Sequence, residues 1–376
     1  MERRKMENIG VETSLLGFGC MRFPLTEDGQ IDEVQSQEMI DYGIAHGVNY
    51  IDTAYYYHDG ESEPFVGKAL AKYERSSYYL ATKLPVWALK SRDEVRTLFE
   101  DQLKKLRTDY IDFYLLHSLD TRNWNATLKH DVLSVVEELQ AEGKIRYIGF
   151  SFHDEYEVFE EIIQHRKWDF CQIQLNYMDT EMQAGVKGYK LAESLGVPMV
   201  VMEPIRGGAL AGFSGEMNEK FYALDRDKSI SSYALRFVAE FPNVKVILSG
   251  MSAMAHVKDN INTFSPYVPL NDKEKAVIGE IRETLEARMQ NGCTGCNYCM
   301  PCPQGVNIPG NFKIWNTYHM YQNYEPIRFA WEGLGRKRKA SNCIECRLCE
   351  EKCPQKIKIA DDLKKVYSDI DGKVWK

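Results

Sequence analysis

The sequence predicts an α/β protein: an eight-stranded parallel (β/α)8 TIM barrel over residues 1–270, then a smaller, mainly α-helical domain over residues 271–376. Three observations carry this expectation. From residue 14 to residue 264, short runs rich in Ile, Val, Leu, Phe and Tyr alternate with amphipathic stretches, the pattern of parallel strands buried on both faces and joined by crossover helices. Eight such units fill the length that a barrel of roughly 250 residues needs. Beyond the proline-bearing connector "FSPYVPLND", eight of the ten cysteines crowd into two short groups. An open doubly wound sheet is the competing architecture, and the lack of a GxGxxG turn after the first apolar run weighs against it.

The elements follow in order. "SLLGFGCM" reads as the first strand and "SQEMIDYGIAHG" as its helix. "VNYIDTA" leads to "SEPFVGKALAKYE", "YYLATKLP" to "SRDEVRTLFEDQLKKLR", "DYIDFYLLH" to "HDVLSVVEELQAEGK", and "IRYIGFSF" to "EYEVFEEIIQHRK". "DFCQIQLN", "PMVVMEP" and "VKVILSG" supply the last three strands, with "AGVKGYKLAESLG", "SYALRFVAEFP" and "AHVKDNINTF" as helices. The helical stretch "KEKAVIGEIRETLEARMQNG" runs into the first cysteine group, which sets the boundary near residue 270, and "IPGNFKIWNTYHMYQNY" between the groups reads as helical too.

With 376 residues, 44% hydrophobic and 27% charged, the chain has ordinary globular composition and can bury a sizeable core. Its formal net charge of -8 disfavours a nucleic-acid role, which needs clustered positive charge. The run Arg336, Lys337, Arg338, Lys339 is the local exception, readable as a solvated loop or as a docking patch for an acidic partner. No apolar run reaches the length of about 18 residues that spans a membrane, and "MERRKMENIG" lacks the apolar core of a signal peptide. A cytoplasmic protein with no membrane association is expected. Thiols stay reduced there, so ten cysteines point to metal or redox use rather than to disulfides.

Cys293, Cys296, Cys299 and Cys302 form CxxCxxCxxCP, while Cys343, Cys346, Cys349 and Cys353 form CxxCxxCxxxCP. The second is the bacterial ferredoxin spacing for a [4Fe-4S] cluster, whose fourth cysteine ligates the other cluster. Two [4Fe-4S] clusters follow from this logic, one on Cys293, Cys296, Cys299 and Cys353 and the other on Cys343, Cys346, Cys349 and Cys302. The first group is one residue short in its last gap, which makes its fourth cysteine the least determined ligand. Structural zinc is the alternative, but zinc takes paired CxxC units and would leave one cysteine of each run idle. The tail therefore reads as a ferredoxin-like iron-sulfur domain with added helix.

Catalytic groups of a barrel lie at the carboxyl ends of its strands, and unusual polar residues fall there: Asp52 in "YIDTAYYY", Lys83 in "LATKLP" and His117 in "FYLLH". The segments "IDTAYYY", "ATKLP", "YLLH" and "IGFS" resemble the aldo-keto reductase superfamily over residues 8 to 264, and the whole chain resembles its bacterial subgroup with a C-terminal ferredoxin-type domain. The resemblance implies a catalytic tetrad of Asp52, Tyr57, Lys83 and His117. It implies hydride transfer between a nicotinamide and a carbonyl, or the reverse alcohol oxidation, with Tyr57 exchanging the proton. Tyr55 and Tyr56 stand beside Tyr57, and only the family spacing selects the third. A free phenol has a pKa of about 10, so the Lys83 ammonium is expected to lower it, with Asp52 holding Lys83 and His117 orienting the carbonyl oxygen.

For the cofactor, NADP or NAD, the resemblance implies Ser151 and Gln172 at the nicotinamide amide, Met202 beneath the ring where an aromatic is common, Arg206 in "EPIRGGAL" at the pyrophosphate, and Asp259 with Asn260 near the adenine. Gly250 and Ser252 lie in "LSGMSAMAHVKDN", where many relatives place an arginine on the 2'-phosphate. Ser252 leaves NADH and NADPH both open. Trp87, Tyr177, His58 and His153 are candidates for the substrate pocket or for plain packing, and Cys20 and Cys171 for small buried residues. The expected partners are a small carbonyl or alcohol substrate and, through the clusters, a redox protein. A redox sensor whose barrel binds nicotinamide without efficient turnover is the competing reading.

Overall fold

The structure, a computed structural model, describes residues 1–213, 215–293, 295–322 and 325–371. It divides into two compact units, Met1–Arg206 with Lys228–Asn271, and Gly207–Asp227 with Asp272–Lys376.

The first unit is a closed parallel barrel. Its strands are β3 (Leu16–Gly19), β4 (Tyr50–Asp52), β5 (Tyr79–Leu84), β6 (Ile111–Leu119), β7 (Ile145–Phe152), β8 (Phe170–Gln174), β9 (Met199–Met202) and β10 (Val244–Ser249), in sequential order around the ring, with β10 closing on β3. Each of the eight apolar runs is one strand. The chain begins, however, with an element not anticipated: a hairpin of β1 (Arg3–Met6) and β2 (Val11–Ser14), turning through Gly10 at φ 69, a left-handed conformation that glycine adopts without strain. Its Met6 and Val11 join the buried cluster that fills the barrel interior.

Alternation along a strand decides what enters that interior. Tyr50, Ala81, Phe113, Leu115, Phe170, Val200, Val246 and Leu248 belong to the interior cluster, so residues two positions further along the same strands share the inward face. Those positions are Asp52, Lys83, His117, Gln172, Met202 and Gly250, one polar or special residue at the carboxyl end of almost every strand. Gly149 leaves space for the Phe170 ring: a Cβ there would lie 2.6 Å from it, an overpacking that costs about 1–3 kcal/mol. At the opposite end, buried Asp112 accepts from Arg75 at 2.6 Å and Arg146 at 2.8 Å and from the Leu80 N–H at 3.0 Å, tying β5, β6 and β7 together.

Helices cover the barrel where the periodicity places them, among them Glu33–Ala45, Ser62–Leu70, Asp93–Leu106, Val132–Ala141, Tyr156–His165, Gly185–Ser194, Ile230–Ala239 and Met254–Thr263. Thr121–Lys129 is an additional helix, capped by the Asp120 carboxylate on the Asn123 N–H. The second unit is helical, with Glu216–Tyr222, Asp272–Ala287, Ile308–Tyr321, Glu325–Gly333 and Ile359–Val366 around a small core that includes Phe312, Trp315, Trp331, Leu363 and Val366. Among the described residues no helix is long and apolar enough to cross a membrane.

Candidate active site

Register carries Asp52, Lys83 and His117 to one place. Asp52 pairs with Ala81 and Lys83 with Leu115, so each successive residue stands two positions further up the barrel wall. Lys83 is wholly buried. Its Nζ donates to both carboxylate oxygens of Asp52 at 2.7 and 2.8 Å, to the Thr53 carbonyl at 2.8 Å, and reaches the Tyr57 hydroxyl at 3.4 Å. Tyr57 follows β4 at the start of a tight turn whose next residues, His58 and Asp59, have left-handed backbone. The geometry separates the three tyrosines: Tyr55 donates to Asp101 at 3.2 Å with Lys105 over its ring at 3.8 Å, Tyr56 is half exposed, and Tyr57 alone meets Lys83. His117 stands edge-on to Tyr57 with ring centroids 6.1 Å apart. Directly after it Ser118 turns left-handed, held by its N–H on Ser151 Oγ at 2.7 Å and its carbonyl on Asn123 at 2.7 Å.

The electrostatics differ from the expectation at one point. Tyr57 as a residue is partly exposed, but its phenol end is enclosed, and burial raises its pKa more than the neighbouring Lys83 charge lowers it; Asp52 adds to the rise. The phenol is therefore held above, not below, its ordinary value, because removing solvent from a nascent phenolate outweighs one ammonium already shared with a carboxylate. Burial opposes the Lys83 charge, yet Asp52 and Tyr57 more than offset it and the ammonium is retained. Burial also raises Asp52, against the pull of Lys83; with both its oxygens accepting from Nζ, we take the pair as ionised. Burial, with Lys83 and His153 adding, holds His117 well below the usual histidine range. It is a neutral imidazole, and its buried Nδ1 has no hydrogen-bond partner.

The residues expected around a dinucleotide are brought together in part. Ser151 and Gln172 are register partners on β7 and β8, both buried. Gln172 donates to the Met202 sulfur at 3.4 Å, while its Oε1 is buried without a partner, an orphaned acceptor suited to an amide N–H. Arg206 is set against the Asp179 carboxylate at 3.5 Å. Ser252 is exposed, beside His256. Asp259 accepts from Ser229 at 2.6 Å and Ser231 at 3.2 Å, and Asn260 donates to Ser249 at 2.9 Å, so both are engaged within the barrel. Gly250 carries the Arg22 side chain, which a Cβ would meet at 2.7 Å.

Arg22 was not legible in the sequence, where nothing marks an exposed arginine after the first strand. Nor was a buried network behind Lys83. Glu63 Oε1 accepts from Thr82 and from Gln102, each at 2.6 Å; Gln102 also donates to the Lys83 carbonyl at 3.1 Å and accepts from Tyr114 at 2.7 Å. Glu63 sits in the helix Ser62–Leu70 and is fully buried, and burial raises its carboxyl pKa. The available signal was a glutamate at the helical spacing of Val66 and Leu70, on the face that turns inward. Of the pocket candidates, Trp87 stacks on Tyr56 and packs against His117, His58 accepts from the Phe23 N–H at 3.2 Å, Tyr177 is buried against Phe237, and His153 is exposed. Cys20 and Cys171 are wholly buried.

In the second unit no three Cys, His, Asp or Glu side chains among the described residues close on one point. The eight thiols instead line two cavities: one is walled by Cys293, Cys296, Cys299 and Cys353 with Ile308 and Phe312, the other by Cys302, Cys343, Cys346 and Cys349, and Cys299 lines both. A cubane needs such a cage, since each thiolate takes a different iron of the cluster. The chemistry of the donor set and the apolar lining fit two [4Fe-4S] clusters.

Comparison with known proteins agrees with this geometry. The profile of the "Aldo/keto reductase family" matches residues 15–283, and that of the "4Fe-4S dicluster domain" matches residues 292–357. The "Probable aldo-keto reductase 1" of Glycine max is 26% identical over 328 residues, 77% of this chain and 92% of that protein. The "NADH-specific methylglyoxal reductase" of Escherichia coli (strain K12) is 27% identical over 283 residues, 64% of this chain and 85% of that protein. Among solved structures, the aldo-keto reductase AKR11C1 from Bacillus halodurans (holo form) superposes with a TM-score of 0.62 at 27% identity, covering 74% of this chain and 96% of its own. With a barrel of the right topology and a family profile over most of its length, the chain belongs to the aldo/keto reductase family and carries a 4Fe-4S dicluster domain C-terminal to its barrel.

Proposed function

We propose that the protein is a nicotinamide-dependent carbonyl reductase, able to run in reverse as an alcohol dehydrogenase, with the barrel (1–270) as the reductase domain and residues 271–376 as the cluster domain. The observation that carries the reading is the fully buried Lys83 ammonium, held by Asp52 and Thr53 and still within reach of the Tyr57 hydroxyl. A buried ion pair is costly to desolvate and is weak as a source of stability; its placement at a strand end beside a phenol gives it a catalytic purpose.

When bound, the reduced nicotinamide supplies a hydride to the carbonyl carbon. Neutral His117 donates a hydrogen bond to the carbonyl oxygen and fixes its direction. Tyr57, protonated at neutral pH, gives its proton to the developing alkoxide, a far stronger base than a phenolate. Lys83 stabilises the phenolate left behind and so offsets part of the cost that burial places on the proton transfer. The orphaned Gln172 Oε1, with Ser151 next to it, would hold the nicotinamide carboxamide, and the Met202 thioether would lie against the ring. The wall of Trp87 and Tyr56 favours carbonyl substrates with a flat or apolar body.

Cofactor preference follows from Ser252 and Arg22. With serine at 252 the site lacks one cation for a 2'-phosphate, and an NADH-specific relative supports use of NADH. Arg22, over Gly250, is the cation that would engage a phosphate instead. The test is turnover of an aldehyde panel by anaerobically purified protein with NADH and NADPH. Turnover with either, lost in Tyr57→Phe, supports the proposal; no turnover, together with cluster bleaching by NADH, would establish the sensor reading in its place.

A further inference from the structure

The cluster domain carries charge that carbonyl reduction does not use. Residues 271–376 contain 18 Lys and Arg against 14 Asp and Glu, whereas residues 1–270 contain 29 against 41. Part of the excess is concentrated. Arg336, Lys337 and Arg338 are consecutive and exposed, and none of the three is in an ion pair among the described residues, whereas the next cation, Lys339, lies over the Trp331 ring at 4.5 Å.

This loop is pinned beside the second cysteine cavity. The Arg338 carbonyl accepts from the Asn307 N–H at 3.0 Å and from the Asn311 amide at 2.9 Å, and the Arg336 carbonyl accepts from the Asn342 side chain at 2.7 Å. Asn307 lies between Gln304 and Ile308, and Asn342 precedes Cys343; Gln304, Ile308 and Cys343 all wall that cavity. The same wall includes Cys346, Ile344, Leu348 and Lys352. Cys346 is exposed, Ile344 is 62% exposed and Leu348 49%, and Lys352 has no ion-pair partner among the described residues. Glu345 and Glu350 beside this wall are paired with Lys364 and Arg347, and Glu351 is exposed, so Lys352 and the three loop cations leave the charge around this apolar centre positive, the composition of a small transient protein interface.

We propose that this face docks an acidic one-electron carrier protein, which exchanges an electron with the cluster held by Cys302, Cys343, Cys346 and Cys349. One electron leaves the reduced centre of the carrier and enters the oxidised cluster; no bond forms or breaks and no proton moves. Unpaired rim cations would steer a negatively charged partner and set its on-rate, while Ile344 and Leu348 supply the dry contact that a nucleic acid would not use. The inference rests on the cluster reading of the cysteines and not on the nicotinamide chemistry.

The experiment is stopped-flow bleaching, at about 400 nm where such clusters absorb, of anaerobic full-length holoprotein by a reduced acidic bacterial ferredoxin. It compares the wild type with the combined Arg336→Glu, Lys337→Glu, Arg338→Glu variant and with Lys352→Glu, using photoreduced deazaflavin as a small reductant that needs no docking. The expected result is a second-order rate that falls about tenfold or more from low to high salt in the wild type, and a similar loss at low salt in the triple variant with its salt dependence gone. Lys352→Glu loses a smaller factor. Bleaching by deazaflavin and nicotinamide-dependent turnover stay unchanged in the triple variant, whose three residues line neither cavity. A triple variant with the wild-type rate and salt slope would overturn the proposal, as would a variant that binds less single-stranded RNA yet is reduced by ferredoxin normally. Absence of the absorbance from the wild type would refute the cluster reading itself.

Discussion

The barrel and the cluster domain hold their reactive groups in contrasting ways. In the barrel, Asp52 and Lys83 end or nearly end short parallel strands and His117 lies two positions beyond an interior leucine, so backbone hydrogen bonds that exist for the fold also aim the site. In the cluster domain, seven of the eight cysteines lie in loops or turns and only Cys349 sits in a helix, the short Leu348–Glu351. Six of their side chains, those of Cys293, Cys299, Cys302, Cys343, Cys349 and Cys353, pack against a core of few residues, while Cys296 and Cys346 are exposed. The difference teaches which region needs its cofactor to fold. The barrel buries enough apolar surface to stand alone, whereas a small unit whose core is edged by thiols draws folding energy from what those thiols bind.

The largest effect that tests this contrast is catalytic. Tyr57→Phe should lower carbonyl reduction by roughly 100-fold to 10,000-fold, the usual worth of a positioned general acid, while Tyr55→Phe, which loses contacts to Asp101 and Lys105 away from Lys83, should stay within about threefold of the wild type. Steady-state assays that rank the two the other way would break the barrel half of the comparison. The next effect concerns the cluster domain. Cys353→Ala should reduce iron from roughly eight to roughly four per chain and speed proteolysis within residues 290–360, with the thermal transition of the barrel unmoved. Equal loosening of both regions in a mass-resolved digest would show that they do not differ as described.

A third prediction follows from the direction of the Tyr57 shift. The proton donor is present below the pKa of the phenol, and burial has raised that pKa. Reductive kcat/KM should therefore be flat through neutrality and fall only above about pH 10, the ordinary phenol value, while the oxidation of alcohols should climb with pH over the same range. A reductive limb falling near neutrality in a pH–rate profile would indicate that Lys83 lowers the phenol after all. Fourth, Gly149→Ala should destabilise the barrel by about 1–3 kcal/mol against the Phe170 ring, read as a lower melting temperature. The smallest effect belongs to Glu63. Burial raises its carboxyl pKa, so the folded state holds the proton longer than the unfolded chain, and stability is lost as pH rises from the unfolded value of about 4.3 through the folded one. Glu63→Gln should raise the melting temperature by about 1–3 °C at pH 8 and leave it unchanged at pH 4. A drop at both pH values would mean that the Thr82 and Gln102 bonds need the acid.

Much of this was legible before any coordinates. All eight barrel strands follow from apolar runs bounded by turn residues, because parallel strands are buried on both faces and leave a continuous signal. Asp52, Lys83 and His117 were visible because a charged or titratable residue interrupts such a run only at some cost. The hairpin of β1 and β2 was not seen: "RRKM" carries three cations in four residues, and its pairing is rewarded by a tertiary contact, Met6 against the interior, that local pattern does not encode. The sign of the Tyr57 shift was also missed. Proximity to a lysine can be read from a motif, but the solvent removed from the hydroxyl depends on how the turn after β4 folds over it. The Glu63 and Gln102 network belongs to the same class, since its members come from two helices and two strands whose alignment exists only in three dimensions.

The central claim is that the barrel reduces carbonyls by hydride transfer with Tyr57 as proton donor, independently of the iron-sulfur clusters. The most direct measurement is product analysis by NMR after anaerobic turnover of an aldehyde with nicotinamide deuterated at C4. The account predicts one deuterium on the carbinol carbon per turnover, from the wild type and equally from the Cys353→Ala variant. A carbinol hydrogen drawn from solvent, or label transfer that disappears when a cluster is removed, would contradict it.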